Sequence, residues 1–374
     1  MRIMFLLRSV ALFGGIERMF TDKANWLASH GHEILFLTYE QGQHKLFFPL
    51  NKGVCHEDLE CRFFTLYQKS VFIRPFRKIA MNIKFRRRLR AKIESFRPDI
   101  MVVSCSIGEF RAIAISMNRW VPVIYENHGS FIESMKVNSS WLQHLWQLWI
   151  HRSVKKCDLV VSLTEGDASY WRKFVDNVCV IPNPLTYFNP QPVLQKATRI
   201  ICVGRLVQTK RFDRIIDAFS MIADKYPEWT VDIFGEGELN EVLQKRISDR
   251  HLFGRVRINK PTLDIYAEYQ RSSFFVLTSD MESFGLVMIE AMSCGIPVVS
   301  VNCPFGPSEI IEDGVTGLLS DMTVKSLSEK IEWMITHETE RLEMGRRAHQ
   351  AVVRYQKDTV MKRWETAYQS VLRR

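Results

Sequence analysis

Two glutamates, Glu282 and Glu290, stand with seven residues between them in SDMESFGLVMIEAMSCGIPVVS, Ser279 to Ser300, an otherwise apolar run that stops at Gly295-Ile296-Pro297. Acid side chains are rarely buried without a partner, so the pair points to a ligand rather than to a core. Ser273 to Leu277 reads as a strand, Thr278 to Ser283 as a polar loop, and Phe284 or Gly285 to Met292 as a helix. Glu282 then sits in the loop and Glu290 about one and a half turns into the helix. The amides around Phe284, Gly285 and Leu286 open that helix, and a helix N-terminus favours a negative group. Carboxylates repel phosphate but accept hydrogen bonds from vicinal hydroxyls. A separate loop, GRLVQTKRFDRIIDAF, places Arg205 and Lys210, with Arg211 adjacent, between a strand and a helix. Two cations at a strand end suit a phosphate clamp, although a surface loop with unused charges reads the same way. Gly14-Gly15 in ALFGGIERMF exposes amides at the start of a helix, or makes a plain tight turn. FGEGEL adds Gly235 and Glu236 on another glycine turn, without the third glycine of a dinucleotide fingerprint. Hydroxyl-reading glutamates, phosphate-reading amides and an Arg/Lys clamp together describe a pocket for a nucleoside diphosphate sugar.

The elements that must position these residues alternate. Strand-length apolar runs at Ile3 to Leu7, Glu33 to Thr38, Ile100 to Ser104, Val121 to Tyr125, Leu159 to Leu163 and Cys179 to Ile181 are separated by longer helical segments. That is the pattern of βαβ units on a parallel sheet. IPNPLTYFNPQP, Ile181 to Pro192, has linker character. A second series follows at Arg199 to Val203, Thr230 to Phe234, Val256 to Asn259, Ser273 to Leu277 and Pro297 to Val301. The reading is two doubly wound α/β domains, 1–186 and 187–354, without a sequence repeat between them. Ligands of such sheets bind beyond the carboxyl ends of the strands, where the chemistry-bearing loops lie.

A chain of 374 residues, 46% hydrophobic and 25% charged, is long enough for two globular domains and excludes disordered and fibrous classes. The eight cysteines form no Cys-x-x-Cys pair and no set with metal spacing, which predicts reduced, mostly buried thiols of a cytoplasmic protein. Arg8 interrupts the apolar start, which reads as a buried strand rather than a signal peptide. No run has the length of a membrane span, so membrane contact is expected to be peripheral. The sequon at Asn138 is then a chance match.

The net charge of +10 is concentrated. Arg74 to Arg97 carries ten basic residues against one acid, among them Arg74, Arg77, Lys78, Lys84, Arg86, Arg87, Arg88 and Arg90. Met81, Phe85, Leu89, Ile93 and Phe96 recur at helical spacing, so this is a basic amphipathic helix with a core-facing stripe. It would attract the phosphates of nucleic acid, of anionic lipid or of a diphosphate-linked substrate, or form a solvated face with no partner. Trp141 to His151 places Trp141, Leu145, Leu148 and Trp149 on one side, which suits a membrane interface or helix packing.

GGIE near the start, GRLVQTK, FGEGEL and above all ESFGLVMIEAMSCGIPVV resemble the retaining glycosyltransferases of family four, which have the GT-B fold, in the expected order over nearly the whole chain. The resemblance implies two facing Rossmann-like domains, a donor held mainly by the second, and no metal or other cofactor. It implies that Glu290 binds ribose hydroxyls and Glu282 those of the donor sugar. Arg205 and Lys210 would neutralise the departing diphosphate, with amides near Gly15 and Phe284 to Leu286 assisting. His128, in YENHGSF, matches the family's cleft histidine, and Tyr355 to Arg374 resembles its final helix, crossing back to the first domain. Front-face attack, with the leaving phosphate taking the acceptor's proton, accounts for retention in this family. The expected donor is a UDP-sugar, its base near Asn259 to Thr262, and the expected acceptor a glycan on polyprenyl diphosphate at an anionic inner membrane surface, in bacterial polysaccharide synthesis. A nonhydrolysing sugar-nucleotide epimerase shares the architecture. A nucleic-acid-binding protein would explain the basic helix, but no helix-turn-helix, zinc or aromatic stacking motif supports it.

Overall fold

The computed structural model describes residues 1–11, 14–68, 73–104, 121–129, 154–190, 192 and 197–373, the side chains of Tyr67, Gln68 and Pro75 excepted. The tryptophan-rich segment from Trp141 and the sequon at Asn138 lie outside these residues. The chain divides into two units, Met1–Pro182 with Met361–Arg374, and Asn183–Val360. The division falls within the Pro- and Asn-rich stretch, a few residues before the break expected at residue 187.

In the first unit, β1 (Arg2–Leu7), β2 (Glu33–Thr38), β3 (Val54–Asp58), β4 (Ile100–Ser104), β5 (Val123–Glu126), β6 (Leu159–Ser162) and β7 (Val178–Val180) form a sheet of order β3-β2-β1-β4-β5-β6-β7. Every pairing is parallel; Leu6 stands beside Leu37 of β2 on one side and Val103 of β4 on the other. Helices covering this sheet include α1 (Gly15–Ser29), α2 (Arg74–Phe96) and α3 (Glu165–Trp171). Burial on both faces explains why the central strands read as unbroken apolar runs: five of the six residues of β1 are buried.

The second unit carries β8 (Arg199–Val203), β9 (Thr230–Phe234), β10 (Val256–Asn259), β11 (Phe274–Leu277), β12 (Val298–Val301) and β13 (Gly317–Ser320), in the order β10-β9-β8-β11-β12-β13, again parallel. Its helices are α4 (Phe212–Ser220), α5 (Asn240–Asp249), α6 (Ile265–Gln270), α7 (Leu286–Ser293), α8 (Gly306–Ile310), α9 (Val324–Thr336) and α10 (Glu338–Ala351). The amphipathic α4 sets Phe212, Ile215, Ile216 and Phe219 into a core with Val276, Val299 and the α9 residues Leu327 and Ile331. The last helix, α11, spans Lys357–Leu372, and from Met361 onward it belongs to the first unit.

The expected strands form within a residue or two of their predicted limits. Two more, β3 and β13, are edge strands that the sequence pattern does not mark. VCHED in β3 is mostly polar and only partly buried, and GLLS in β13 is too short for an alternation to show. Among the described cysteines, Cys61, Cys157, Cys202, Cys294 and Cys303 are buried free thiols, Cys179 is half-buried and Cys55 exposed. Burial pushes the Cys294 and Cys303 thiols up to about 12. Among the described residues no helix is long and apolar enough to cross a membrane.

Helix α7 is held from behind by a close backbone approach. Gly295, at φ 80, ends the helix in a left-handed turn, and a Cβ on Gly345 of α10 would lie 2.1 Å from the Gly295 carbonyl oxygen. The sequence breaks the Glu282–Glu290 segment at this glycine because α10 packs directly on the turn. Gly345→Ala is therefore expected to destabilise the fold by about 1–3 kcal/mol through overpacking. An unchanged urea midpoint in that variant would contradict the close approach.

Candidate active site

In the second sheet, the strand order reverses between β8 and β11, and ligands of doubly wound sheets bind at the carboxyl ends of the strands flanking such a switch. The loop after β8 carries Arg205 and Lys210; the loop after β11 carries Glu282. Main-chain and side-chain bonds stitch the two loops together. The Asp280 amide donates to the Thr209 carbonyl (2.9 Å), and Thr278 Oγ1 donates to the Lys210 carbonyl (2.7 Å). Arg214 of α4 bridges the same loops, donating to the Thr278 carbonyl (2.6 Å) and to Asp280 Oδ1 (2.8 Å).

This frame sets Lys210 Nζ 2.6 Å from Glu282 Oε1, which also accepts from Ser279 Oγ (2.7 Å). Both Glu282 contacts fall on one oxygen; Oε2 has no hydrogen-bond partner among the described residues. The Glu282 backbone is fixed as well: its carbonyl accepts from the Gly306 amide (3.1 Å) and it pairs with Phe305 in an isolated bridge. Phe305 holds φ 79 and ψ −80, a strained conformation for a bulky residue, against the strand-end loop that carries Glu282. A Cβ on Gly306 would lie 2.2 Å from the Phe284 carbonyl oxygen, so only glycine fits there.

Phe284 is buried, edge-on to Tyr355 at 5.5 Å. Gly285, at φ 92, turns the chain into α7, which begins at Leu286; the first amides of a helix lack intrahelical partners and suit an anion. Glu290 is buried in α7 and receives a long hydrogen bond, 3.4 Å, from the hydroxyl of Tyr269 in α6. Burial, reinforced by Glu290, pushes that hydroxyl well above its ordinary range and keeps it a donor. Ser279, Thr278, Arg214 and Tyr269 carried no signal in the sequence, because serines, threonines and a helical tyrosine are common in ordinary loops and cores.

The cations of the β8 loop differ in availability. Arg205 is exposed, and its side chain has no partner among the described residues. Arg211 is instead engaged by two carboxylates, with Nε and Nη2 on Asp213 and Nη1 on Asp280 at 3.3 Å. It braces the loop beside Arg205 and Lys210, the two cations of the expected clamp. Gly235 serves packing: a Cβ there would lie 1.9 Å from the Gly204 carbonyl oxygen, while the Leu206 amide donates to the Glu236 carbonyl (2.8 Å). The Glu236 side chain is exposed. In the first unit, Gly14 caps α1, where a Cβ would lie 2.2 Å from Glu17 Oε2. The chain's own carboxylate thus stands at the Gly14-Gly15 helix start that the sequence marks as a place for an anion.

His128 follows β5 and meets a cluster that no sequence motif marks. Its Nε2 is buried 3.1 Å from Glu126 Oε1, its hydrogen not aligned on that oxygen, and Phe20 packs edge-on to the ring at 5.1 Å. Glu126 is bound on both oxygens by Lys23 of α1, at 2.5 and 2.6 Å, and both side chains are fully enclosed. Lys23 Nζ also lies 3.6 Å from the centre of the Trp364 ring of α11. Burial pushes the Lys23 ammonium down to about 8 against the pull of Glu126. For Glu126 burial acts upward, but Lys23 and His128 outweigh it and hold the carboxyl below its ordinary range.

The basic helix forms as α2, with Phe85, Leu89 and Ile93 buried and Phe96 partly so. Of its cations, Lys84 donates to the Glu60 carbonyl (2.8 Å), Arg88 to the Leu59 carbonyl (2.6 Å) and Glu60, and Arg90 to Glu94 (2.9 Å). Arg74 is half-buried. Arg77, Lys78, Arg86 and Arg87 are exposed, and their side chains have no partner among the described residues. A second apolar stripe, opposite the buried one at helical spacing, is exposed: Phe76, Ile79 and Ile83 are 76%, 58% and 61% accessible.

The lowered Glu126 carboxyl sets a pH dependence. A group whose native pKa is depressed contributes stability above its unfolded value, and that contribution is lost as the pH falls through the native one. The stability advantage of the wild type over Glu126→Gln should therefore be complete above pH 4.5, the ordinary value, and close below it. Urea midpoints across that range measure it; a gap that persists undiminished in acid would contradict the ion pair.

Residues 186–351 match the protein-family model described as Glycosyl transferases group 1, and residues 13–186 match the one described as Glycosyltransferase Family 4. A Haemophilus influenzae protein described as an uncharacterized glycosyltransferase is 27% identical over 97% of this chain and 99% of its own. The Campylobacter jejuni GalNAc-alpha-(1->4)-GalNAc-alpha-(1->3)-diNAcBac-PP-undecaprenol alpha-1,4-N-acetyl-D-galactosaminyltransferase is 24% identical over 97% of both chains. Among solved structures, a variant of Staphylococcus aureus TarM in complex with Fondaparinux, alpha-GlcNAc-glycerol and UDP shares the fold, with a TM-score of 0.80 at 15% identity over 98% of this chain and 99% of that one. Two Rossmann-like sheets, a strand-end loop pair at the switch point of the second, and these two consecutive matches identify the chain as a member of the GT-B glycosyltransferases, a family-four domain followed by a group 1 domain.

Proposed function

We propose that this glycosyltransferase moves a sugar from a UDP-sugar to a glycan carried on a polyprenyl diphosphate, with retention of the anomeric configuration, in bacterial polysaccharide assembly. The observation that carries the reading is the Lys210–Glu282 pair at the switch point, with one carboxylate oxygen fixed and the other left for a ligand. Breaking the anomeric bond builds negative charge on the departing diphosphate and positive charge on the sugar. Arg205, Lys210 and the first amides of α7 supply preorganised positive potential to the former. In this reading the two cations take the part a divalent metal plays elsewhere. Glu282 and Glu290 hold hydroxyls of the sugar and of the ribose, and His128 meets the substrate from the first unit.

The UDP assignment is supported by the nucleotide bound to TarM. Retention rests on the resemblance of ESFGLVMIEAMSCGIPVV to the retaining family, and the name of the Campylobacter enzyme gives an α-linkage. The same name contains an undecaprenol-linked acceptor. Glu282 is engaged by Lys210 and Glu290 by Tyr269, which favours hydroxyl binding over a nucleophile and acid pair. Front-face attack, with the leaving phosphate taking the acceptor's proton, fits that arrangement. The exposed apolar stripe of α2, with Arg77, Lys78, Arg86 and Arg87 around it, suits insertion into an anionic bilayer surface.

Two outcomes test this. In a thermal-shift panel of UDP-, GDP- and ADP-sugars, a UDP-sugar should raise the melting temperature by mass action; acceptor-dependent UDP release should fall by about 100-fold or more in Lys210→Ala and Glu290→Ala, which remain folded. Stabilisation by another nucleotide alone, or sugar isomerisation without acceptor, would contradict it. Sedimentation with anionic vesicles should be lost when Arg77, Lys78, Arg86 and Arg87 become glutamates, or Phe76 and Ile83 become serines. Unchanged sedimentation of both variants would remove the membrane from the proposal.

A further inference from the structure

We infer that Lys23 and Glu126 are positioning residues for His128, fixing which ring nitrogen carries the proton and how the ring faces the substrate. The inference rests on the reading of His128 as a group that meets substrate. The second half of β5 and the loop after it supply both partners, Glu126 and His128, two residues apart. Glu126 Oε1 lies 3.1 Å from the buried Nε2. A carboxylate accepts and never donates, so it selects the tautomer with the proton on Nε2 and leaves Nδ1 as the acceptor.

A carboxylate buried this deeply needs a fixed counter-charge, and α1 provides it. Lys23 is fully buried on the helix face where Met19, Phe20, Ala24 and Leu27 pack as an ordinary apolar stripe. A lysine there is out of pattern for a core helix, since a paired ion is commonly no more stabilising than well-packed apolar groups. Its ammonium is divided between both Glu126 oxygens and the Trp364 ring of α11. Around the pair the charged and titratable groups include Cys179, Tyr368, whose buried hydroxyl has no hydrogen-bond partner among the described residues, and, beside Tyr368, Glu365, which pairs with His32 at 3.3 Å. Lys23 is therefore the cation assigned to Glu126, and through it α1 and α11 brace the carboxylate that faces the His128 ring. The loop is tied down independently: Asn127 Nδ2 donates to Asp167 Oδ2 (3.0 Å), which also accepts from Ser162 and Trp171. Losing the ion pair would disturb the ring rather than the loop.

The test separates positioning from mere stability. Lys23→Met alone leaves an unpaired buried carboxylate that destabilises the fold, so the diagnostic protein is the Lys23→Met/Glu126→Gln double variant, in which both side chains are neutral. Nitrogen NMR of isotope-labelled histidine, with the His128 signal identified by its loss in His128→Ala, should show the proton on Nε2 in the wild type and a mixture in the double variant. UDP release from UDP-glucose or UDP-N-acetylglucosamine should fall about tenfold or more in kcat, with little change in KM, while the melting temperature stays near that of the wild type. A wild-type tautomer in the double variant, or a proton on Nδ1 in the wild type, overturns the inference without any donor. An impaired His128→Ala beside a fully active double variant overturns the positioning role alone; full activity in His128→Ala overturns the role of the histidine as well.

Discussion

The stitch between the loops leaving β8 and β11 is the constraint on which the candidate site depends. A doubly wound sheet separates its neighbouring loops at the switch point, and something must then hold them in register. Here the main-chain bond from Asp280 to Thr209, the Thr278 bond to the Lys210 carbonyl and the Arg214 bridge do so. With the backbones locked, Lys210 and Glu282 meet at 2.6 Å. The pair leaves the site close to neutral, and a nucleoside diphosphate sugar offers each partner a replacement: phosphate for the ammonium, hydroxyls for the carboxylate. Preorganisation of this kind lowers the reorganisation needed when charge develops on the leaving group.

Glycines and strain do the remaining positioning. Gly235, Gly306 and Gly345 each stand where a Cβ would strike a carbonyl oxygen of a neighbouring segment, so in this protein they set distances between backbones. Gly285 is different: its positive φ reverses the chain so that α7 starts beside Glu282. Phe305, strained at φ 79, stores energy against the same loop. These are the features of a loop cluster whose shape matters more than its local stability.

Much of this was legible from residue order. The parallel βαβ alternation followed from buried runs such as RIMFLL and VVSV, and the positions of Arg205, Lys210 and Glu282 on strand-end loops, with Glu290 in the helix after the last of them, followed from it. What pattern reading missed was pairing. Arg211 looks as available as Lys210 in GRLVQTKR, and only the fold brings Asp213 and Asp280 to it. Glu17 stands at the Gly14 helix start because the chain turns there. Lys23 and Glu126 are 103 residues apart, and no local periodicity announces that a lysine on an apolar helix face will meet a carboxylate on a central strand. Helix α2 was read from its buried stripe, while the exposed Phe76, Ile79 and Ile83 emerged only once the opposite face was seen to be uncovered.

In the proposed function, ligand recognition is divided between two kinds of group: cations for the diphosphate, glutamates for hydroxyls. Titration calorimetry of UDP and of uridine against the wild type and Lys210→Ala addresses that division most directly. The division predicts that the substitution weakens UDP strongly and leaves uridine nearly unchanged, because only UDP carries the phosphates that Lys210 would meet. Equal weakening of both ligands, or of neither, would contradict it.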